Sequence, residues 1–590
     1  MTASFSMPAQ PPDGRLLRKL LIHCVGVLHD SQKFGSICLS CVSWPASMFT
    51  HVGASSNKEN ALKSEVEEMG DEGVAKQKEG IGVGSGTSSG VVSGDAVIFP
   101  VVIDAPVGQT NTAVATVQLR FPHSLLQKLN PIQGRNGTAY SVRFDKKNRY
   151  VLAVGSRMLN SVIREIAEEE GITLRQSAIT DVNHFLQAKV EAAAASQDVW
   201  YRVAAIAGGV EIDLGDDEHT RIVITAGKVE VIESGSQTLF FRTSSMRPMA
   251  IPAAVGNLKL LRKYVNLDPV SFLLFTGWLS YTLAHAKVSS SKFPILVIRS
   301  GEGSGKSQIC RVIILLIDPR SVGVQTLPRN EKDLAIATQS AHTNCYDNVR
   351  SIAQAMSDAI CIAVTGGALT SRQLYSDAEQ QVISLHGALV INGIPSFIDQ
   401  PDLAQRCLLL HLPPIKDELR RSETDMDAEL ALDLPAIQRG LFDLIAKILE
   451  QLPNAVVTHP TRMIDFSKWL AAMELVYGAP AGAFQLEYCN ALHQGQLDAL
   501  LDNVLAAEIL EFAEAQQDGA WSGTPAQLLN LLNLQATLGT QRSRDWPTNP
   551  IALSKRLAPL QTGLMTQGVS VVLSRGKTRT ITVSKAGVGK

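Results

Sequence analysis

The fold is decided by residues 293–318, which read FPILVIRSGEGSGKSQICRVIILLID. Pro294–Arg299 is a short, mostly apolar run of the kind that forms a buried parallel strand. The glycine-rich segment SGEGSGKS (300–307) follows it, and Gln308–Ile317 is apolar enough for a buried helix. A strand, a glycine-rich loop and a helix in this order are the setting of a phosphate-binding loop. We therefore predict an α/β fold with a parallel sheet that carries a nucleotide site.

The chemistry of this loop follows from its residue types. Glycines let the backbone curl until its N–H groups point at phosphate oxygens, and the N-terminus of the following helix adds positive potential. Lys306 reaches the β- and γ-phosphates, and the Ser307 hydroxyl coordinates Mg²⁺. ATP with Mg²⁺ is the inferred ligand, although a glycine-rich surface turn is the alternative. The predicted nucleotide contacts are Gly301, Glu302, Gly303, Ser304, Gly305, Lys306, Ser307 and Gln308.

Two departures from the usual pattern concern this loop and the acidic motif that follows it. The pattern G-x-x-x-x-G-K-[ST] places glycine at position 300, where this chain has Ser300. NCYDNV (344–349) then places Asp347 after a short run that resembles a strand, where a carboxylate holds the Mg²⁺ shell through water. Many motor ATPases carry a second acid next, but here Asn348 stands in that place. Because an amide is a poor base, slow hydrolysis and a base supplied from elsewhere both remain open.

Two further polar residues follow apolar elements. Ala388–Ile391 is an apolar strand that ends in Asn392, where an amide can sense the γ-phosphate and position water. DLAQRCLLLHL (402–412) places Arg406 at the end of a helix and before another strand. Ring-forming ATPases present an arginine finger to the neighbouring subunit at this place, and its charge stabilises the transition state. The alternative for Arg406 is a surface salt bridge.

The series GEGSGKS, YDNV, TGG…SRQLY, ALVINGI and PDLAQR resembles the P-loop ATPases of phage and mobile-element replication proteins. These are related to superfamily 3 helicases and primase-helicases in the AAA+ group, and the resemblance covers residues 255–470. It implies an AAA+-like parallel sheet between helices and a homo-oligomer, a hexameric ring. It also implies a DNA-facing basic hairpin at TGGALTSRQLY (365–375), with Arg372 as its cation. A buried turn with Arg372 in an ion pair is the alternative.

Composition sets the limits of the rest. The chain has 590 residues, a net charge of −2, 45% hydrophobic and 19% charged residues, which excludes wholesale disorder and a coiled-coil rod. Because the net charge is close to zero, any basic surface that binds nucleic acid must be confined to part of the chain. Eight cysteines, mostly isolated in apolar runs, suit a reducing, cytoplasmic location. The apolar run Val270–Ala286 contains Thr, Ser, Tyr and His, which favours a buried helix over a membrane span.

We predict five regions along the chain. Residues 1–95 form an atypical or disordered segment with a Gly/Ser linker, in which Cys38 and Cys41 are weak evidence for zinc. Residues 96–254 mix strands and helices, with a helix over 161–174 that ends at Gly171 and hairpins over 202–231. Within them an acidic turn is favoured over a metal site, and the acids concerned are Asp213, Asp216 and Asp217. The remaining regions are the ATPase core (255–415), a helical lid (416–490) and a basic domain (491–590).

The net charge of the last hundred residues changes from negative to positive along the sequence. Residues 491–540 contain six acids and no Lys or Arg, whereas residues 541–590 contain nine Lys/Arg and one Asp. We predict helices over 500–515, 523–533 and 549–564, and two strands around SRGKT within 569–584. Three helices and a basic hairpin resemble a winged-helix DNA-binding domain, although the same fold also serves protein contacts. The predicted DNA contacts are Lys555 and Arg556 on the third helix and Arg575, Lys577 and Arg579 on the wing.

Together these features predict an ATP-binding and ATP-hydrolysing DNA helicase or translocase of phage or mobile-element replication, without a membrane partner. The alternative is an ATP-switched DNA-binding initiator, loader or regulator with little hydrolysis.

Overall fold

The computed structural model describes residues 91–93, 96–101, 117–145, 148–192, 195–301, 303–372, 380–393, 398, 400–516, 519–543, 546–575 and 579–585. Most of the predicted segment 1–95 lies outside the described residues, and so does the pair Cys38 and Cys41.

The N-terminal region is built from small sheets and helices. Its elements are β1 (Val91–Ser93), β2 (Ala96–Val101), β3 (Val117–Pro122), α1 (His123–Lys128), β4 (Pro131–Gly134), β5 (Ala139–Asp145), β6 (Asn148–Ala153), α2 (Arg157–Glu169), α3 (Gln176–Glu191), β7 (Ser196–Gln197), β8 (Val203–Ile206), β9 (Gly209–Asp213), β10 (Arg221–Thr225) and β11 (Lys228–Ile232). The sheets have the orders β1-β2-β3, β6-β5-β4-β7 and β11-β10-β9-β8. Every pairing is antiparallel except that of β4 with β7.

Two sequence predictions for this region are confirmed. The predicted helix is α2, and Gly171 just beyond it has a φ of 73°, the left-handed conformation that ends helices. The predicted hairpins are the antiparallel strands β8 to β11.

Asp213 has a structural role at the end of β9. Its buried carboxylate accepts hydrogen bonds from Arg221 and Arg242. Burial alone would raise the pKa of Asp213, but the charges of Arg221 and Arg242 outweigh it and lower the pKa to about 2. No group of three or more acidic, His or Cys side chains in the described part of the chain is arranged to hold a metal ion. Because both Asp213 oxygens accept hydrogen bonds from arginines, this residue fits the acidic-turn interpretation.

A parallel sheet lies at the centre of the molecule. It follows a short 3-10 helix, Leu258–Lys263. The elements of this region are α4 (Pro269–Leu283), β12 (Ile295–Arg299), α5 (Lys306–Ile317), α6 (Glu331–Gln339), β13 (Thr343–Val349), α7 (Gln354–Thr365), β14 (Gly367–Arg372), β15 (Gln380–Leu385), β16 (Ala388–Gly393), α8 (Pro401–Ala404) and β17 (Cys407–His411). The order in the sheet is β13-β16-β12-β17 and all pairs are parallel, whereas β14 and β15 form a separate hairpin.

Both faces of this sheet are covered. In β12, Leu296 and Ile298 belong to one hydrophobic core, and Ile295 and Val297 belong to another. Successive side chains of a strand point to opposite faces, so an uninterrupted apolar run is what a doubly covered parallel strand requires. The predicted α/β class with a parallel sheet among helices is therefore confirmed.

The N-terminal strands share a core with the central sheet. Val203, Ile212 and Ile222 pack in the same hydrophobic cluster as Leu296. Arg202 is fully buried and bonds Asp318, at the C-terminal end of α5, with an Nε–Oδ1 distance of 3.1 Å. The predicted boundary near residue 254 therefore does not separate two hydrophobic cores.

The apolar run at 270–286 is the buried helix α4. Asp268 caps it, accepting hydrogen bonds from the backbone of Val270 and Ser271, and Pro269 occupies its first turn. Trp278 and Tyr281 are completely buried within it. Among the described residues, no helix combines the length and apolarity that crossing a bilayer demands.

Long helices and a small terminal sheet complete the chain. The elements are α9 (Glu423–Gln451), α10 (Ile464–Tyr477), α11 (Ala483–Asp502), α12 (Val504–Ala515), β18 (Ala520–Gly523), α13 (Pro525–Gln535), α14 (Leu538–Gln541), α15 (Pro550–Thr566), β19 (Val569–Arg575) and β20 (Arg579–Lys585). Short 3-10 turns precede and follow α9 at Asp417–Leu419 and Leu452–Asn454. The terminal strands form an antiparallel sheet of order β18-β20-β19.

The structure confirms most predicted elements of the last hundred residues and corrects one. Thr524 caps α13 in a capping box with Gln527, and α15 and the β19–β20 hairpin lie where expected. The single helix predicted over 500–515 is instead two, because Asn503 interrupts it. The Asn503 side chain accepts hydrogen bonds from the backbone of Leu505 and Ala506 and so starts a new helix.

Candidate functional site

The predicted phosphate loop (residues 300–307) joins the carboxyl end of β12 to the first turn of α5. Gly303 and Gly305 have φ values of 70° and 89°, a conformation that side-chain-bearing residues adopt only at a cost. Gly305 is the N-cap of α5, so the positive end of that helix faces the loop. Glu302 lies outside the described residues. Gly303 and Gly305 are thus placed where the backbone conformation favours glycine.

Lys306 folds back over its own loop. Its Nζ donates to the carbonyl oxygens of Ser300 (3.0 Å) and Gly301 (2.5 Å) and to the Ser300 hydroxyl (3.2 Å). The Ser300 hydroxyl also bonds that of Ser304, which is buried. The serine at position 300 therefore fits the turn, because its hydroxyl forms hydrogen bonds with other residues of the loop.

Ser307 and Asp347 meet across the site. The Ser307 hydroxyl donates to Oδ2 of Asp347 at 3.2 Å, although 40 residues separate them in the chain. Asp347 lies in β13, whose preceding residues Thr343 and Asn344 are buried despite their polarity. The predicted strand before the acid is therefore confirmed. A hydroxyl beside a carboxylate is the donor set that Mg²⁺ takes together with water and phosphate oxygens.

Asn392 lies between the loop and the acidic strand, because β16 pairs with both β12 and β13. It is fully buried, and both the oxygen and the nitrogen of its side-chain amide form hydrogen bonds. Oδ1 accepts from the backbone N–H of Asn348 at 3.0 Å, and Nδ2 donates to Sγ of Cys310 on α5 at 3.1 Å. Asn348 has a φ of 55°, which asparagine tolerates better than most residues. Asn392 thus fixes the backbone next to Asp347.

The four residues Lys306, Ser307, Asp347 and Asn392 lie at the carboxyl edge of the sheet, whereas Arg406 lies at the opposite edge. The Arg406 carbonyl accepts from Ile295, the first residue of β12, so one strand length of about 13 Å separates Arg406 from the loop. Its guanidinium pairs with Asp402 at 2.5 Å, and the pairing lowers the pKa of Asp402. Arg462 pairs with the same carboxylate. Arg406 therefore does not reach the loop of its own chain.

Arg420 is a residue that the sequence reasoning missed. A Cβ added to Gly303 would lie 2.9 Å from Nη2 of Arg420, so the guanidinium covers the middle of the glycine-rich loop. Its Nε pairs with Asp417 at 2.9 Å. Asn266 also contacts the loop and donates to the Ser304 carbonyl at 3.3 Å. No motif marks either residue, since both lie in irregular segments far away in sequence.

Arg299 connects this edge of the sheet to the C-terminal region. It is the last residue of β12, and its guanidinium pairs with Asp498 (3.3 Å) and Asp502 (2.6 Å) near the end of α11. His411 of β17 approaches the same Asp498 at 3.3 Å. The strand that leads into the loop is thereby tied to the helix that leads into the basic domain.

The predicted DNA contacts fall on two hairpins and one helix. Arg372 is the last residue of β14, where it pairs with Gln380 at the outer end of the β14–β15 hairpin. Lys555 and Arg556 lie on α15, and Lys555 is exposed. Arg575 and Arg579 are cross-strand neighbours at the end of the β19–β20 hairpin. Lys577 lies outside the described residues. The predicted C-terminal hairpin is therefore present. The other hairpin extends beyond the predicted 365–375 to Leu385, and Arg372 is the one Lys or Arg in the sequence of residues 365–385.

Two family models match the chain. The model described as actinomycete integrative conjugative element replication protein matches residues 272–493, and the model of the AICE RepA C-terminal domain matches residues 505–588. No curated protein matches the chain.

The chain also has a limited likeness to solved structures. The A-form apo structure of the NrS-1 C-terminal region has 13% identity and a TM-score of 0.35, and covers 79% of this chain and 98% of that one. The apo structure of NrS-1 residues 305–718 has 12% identity and a TM-score of 0.31, and covers 79% and 97%. These scores are too low to support any argument about this chain.

Proposed function

We propose that this chain, a replication protein of a mobile element by its two family matches, is an ATP-hydrolysing DNA helicase or translocase. One observation carries the proposal. Lys306 and Ser307 begin the helix after the glycine-rich loop, and Asp347 and Asn392 lie near the carboxyl ends of the two neighbouring strands β13 and β16. The Lys306 amine bonds the loop, the Ser307 hydroxyl bonds the Asp347 carboxylate, and the buried Asn392 amide fixes the backbone beside Asp347. Their chemistry fits a triphosphate with a divalent cation.

In this proposal each residue has a distinct task. The backbone amides of residues 301–307 bind the phosphates, and Lys306 leaves the carbonyls of Ser300 and Gly301 for the phosphate oxygens. Ser307 and Asp347 would hold Mg²⁺, and the ion would supply positive charge to neutralise the phosphoryl group. The residues present fit that ion, because their hydroxyl and carboxylate oxygens are already adjacent.

Asn392 is a positioning residue in this scheme. Its contact with the backbone of Asn348 fixes the segment in which an attacking water would be oriented. Arg406 serves the site of a neighbouring subunit, since it lies at the far edge of the sheet from its own loop. The scheme therefore requires a ring in which Arg406 exchanges Asp402 for a phosphate of the adjacent subunit.

The proposed DNA contacts lie outside the nucleotide site. Arg372 on the β14–β15 hairpin contacts DNA in the ring channel. The C-terminal domain acts as a winged helix, with Lys555 and Arg556 at the major groove. Its wing residues, Arg575, Lys577 and Arg579, contact the phosphate backbone. Such contacts supply affinity more than sequence choice.

A second candidate is an ATP-switched initiator, loader or regulator that hydrolyses slowly. The observation that favours it is Asn348, an exposed amide where a carboxylate base would stand. An amide orients water but accepts no proton from it. ATP would then control assembly on DNA rather than movement along it.

The test is an ATPase assay with and without single-stranded DNA. We expect DNA-stimulated turnover in the wild type and none in Lys306→Ala. The matched control is Lys332→Ala, which removes an exposed lysine on α6 away from the loop. Equal hydrolysis by the wild type and Lys306→Ala would rule out the first candidate. Slow hydrolysis with ATP-dependent DNA binding would instead support the second.

A further inference from the structure

The β5–β6 hairpin exposes an aromatic ring where its strand pattern would bury one. Tyr140, Val142 and Phe144 alternate along β5 and therefore share one face of the sheet. Tyr140 and Val142 are buried in a small core with Val151, but 62% of Phe144 is exposed. The apolar row thus continues past the edge of the core and leaves a large apolar side chain in solvent.

The start of β6 is anchored by hydrogen bonds. Asn148, the first residue of β6, is buried and donates to the carbonyls of His219 (2.8 Å) and Ile232 (3.3 Å). Its Oδ1 accepts from the backbone of Ser236 at 2.8 Å. The strand next to Phe144 is therefore already ordered, so less conformational entropy is lost when a ligand binds.

A cation accompanies the ring. Arg149 is the cross-strand neighbour of Phe144, and its guanidinium carbon lies 4.9 Å from the ring centroid. The guanidinium covers one face of the ring by a cation–π contact and keeps N–H groups that can reach an anion. The sequence of residues 143–149, RFDKKNR, has four cations and one acid.

We propose that this hairpin end binds single-stranded nucleic acid, with a base stacked on Phe144 and a phosphate held by Arg149. An accessible aromatic ring with adjacent positive charge is the combination that single-strand binders use. A protein partner that buries an apolar patch is disfavoured, because charged residues dominate the sequence around Phe144. This site lies in the N-terminal region, apart from the DNA contacts proposed for residues 372 and 555–579.

The direct test is photo-cross-linking of the full chain to a single-stranded oligonucleotide that contains bromodeoxyuridine. We expect a cross-link at Phe144, located by mass spectrometry, that disappears in Phe144→Leu and is absent with the duplex form. Cross-links found only in other regions would overturn the proposal.

Affinity measurements give a second readout. Phe144→Leu should weaken single-strand binding roughly 5- to 150-fold, the range for loss of one stacked base. Arg149→Gln should lower the slope of log affinity against log salt by about 0.7, as loss of one phosphate contact does. The controls are Met158→Leu and Arg157→Gln, exposed residues on α2. Wild-type affinity and slope in both hairpin variants would also overturn the proposal and leave a protein partner for Phe144.

Discussion

Arg420 provides the sharpest test of the proposed nucleotide site, because a matched arginine stands next to it in the chain. Its guanidinium lies over Gly303, whereas the adjacent Arg421 pairs with Glu429 on α9. A hydrogen bond from a guanidinium to a charged group contributes about 1.5–3 kcal/mol. Because 56% of the Arg420 side chain is exposed, we take the lower end. At about 1.4 kcal/mol per factor of ten, Arg420→Ala should weaken ATP binding roughly tenfold.

The assay is equilibrium titration with a fluorescent ATP analogue, with Arg421→Ala as the control. Both substitutions remove one exposed arginine from the same segment, so a general charge effect would weaken binding equally in the two variants. Thermal unfolding should be nearly unchanged in both, because exposed ion pairs contribute little to stability. If Arg420→Ala binds ATP as tightly as Arg421→Ala, the guanidinium does not contact the nucleotide.

Other predictions concern the acid position, the loop backbone and the buried histidine. Asn348→Asp should raise kcat with little change in KM, because aspartate also tolerates a positive φ and supplies a base; unchanged kcat would place the base elsewhere. Gly305→Ala forces a side chain into a φ of 89° at a cost of about 1–2 kcal/mol, so ATP affinity should fall while Gly323→Ala retains it. Burial lowers the pKa of His342 to about 4, so from pH 6.5 down to pH 4 the unfolded state binds more protons and stability falls as pH falls. The free energy of unfolding should fall over that window by up to about 1.4 kcal/mol per pH unit, and the urea midpoint should decrease with it. The decrease should be less steep in His342→Asn, and equal slopes of stability against pH in the two proteins would contradict this prediction.

Sequence reasoning succeeded where the signal is local. The apolar run before residue 300, the loop glycines and the N-cap Thr524 act within a few residues, and the structure has the elements they predicted. Asp347 and Asn392 can be predicted from the strand-like runs that precede them, because both lie near the carboxyl ends of parallel strands, which meet at one edge of the sheet.

The sequence could not reveal what depends on distant segments. Arg420 and Gly303 approach through the path of an irregular segment after β17, so no periodicity marks the contact. The engaged amide of Asn392 and the exposure of Phe144 likewise depend on which elements pack around them. Asn503 is different, since its capping role is local, but the apolar pattern on either side favoured one continuous helix.

The ion pairs of Arg299 with Asp498 and Asp502 limit where the chain can be truncated without disturbing the site. The first family match ends at residue 493, which invites the preparation of a shorter polypeptide that stops there. Such a fragment would keep Arg299 but discard both of its carboxylate partners. A largely buried positive charge would then stand uncompensated one residue ahead of Ser300, which costs several kcal/mol in comparable situations. Weak nucleotide binding by that fragment would report the missing acids rather than a property of the intact chain.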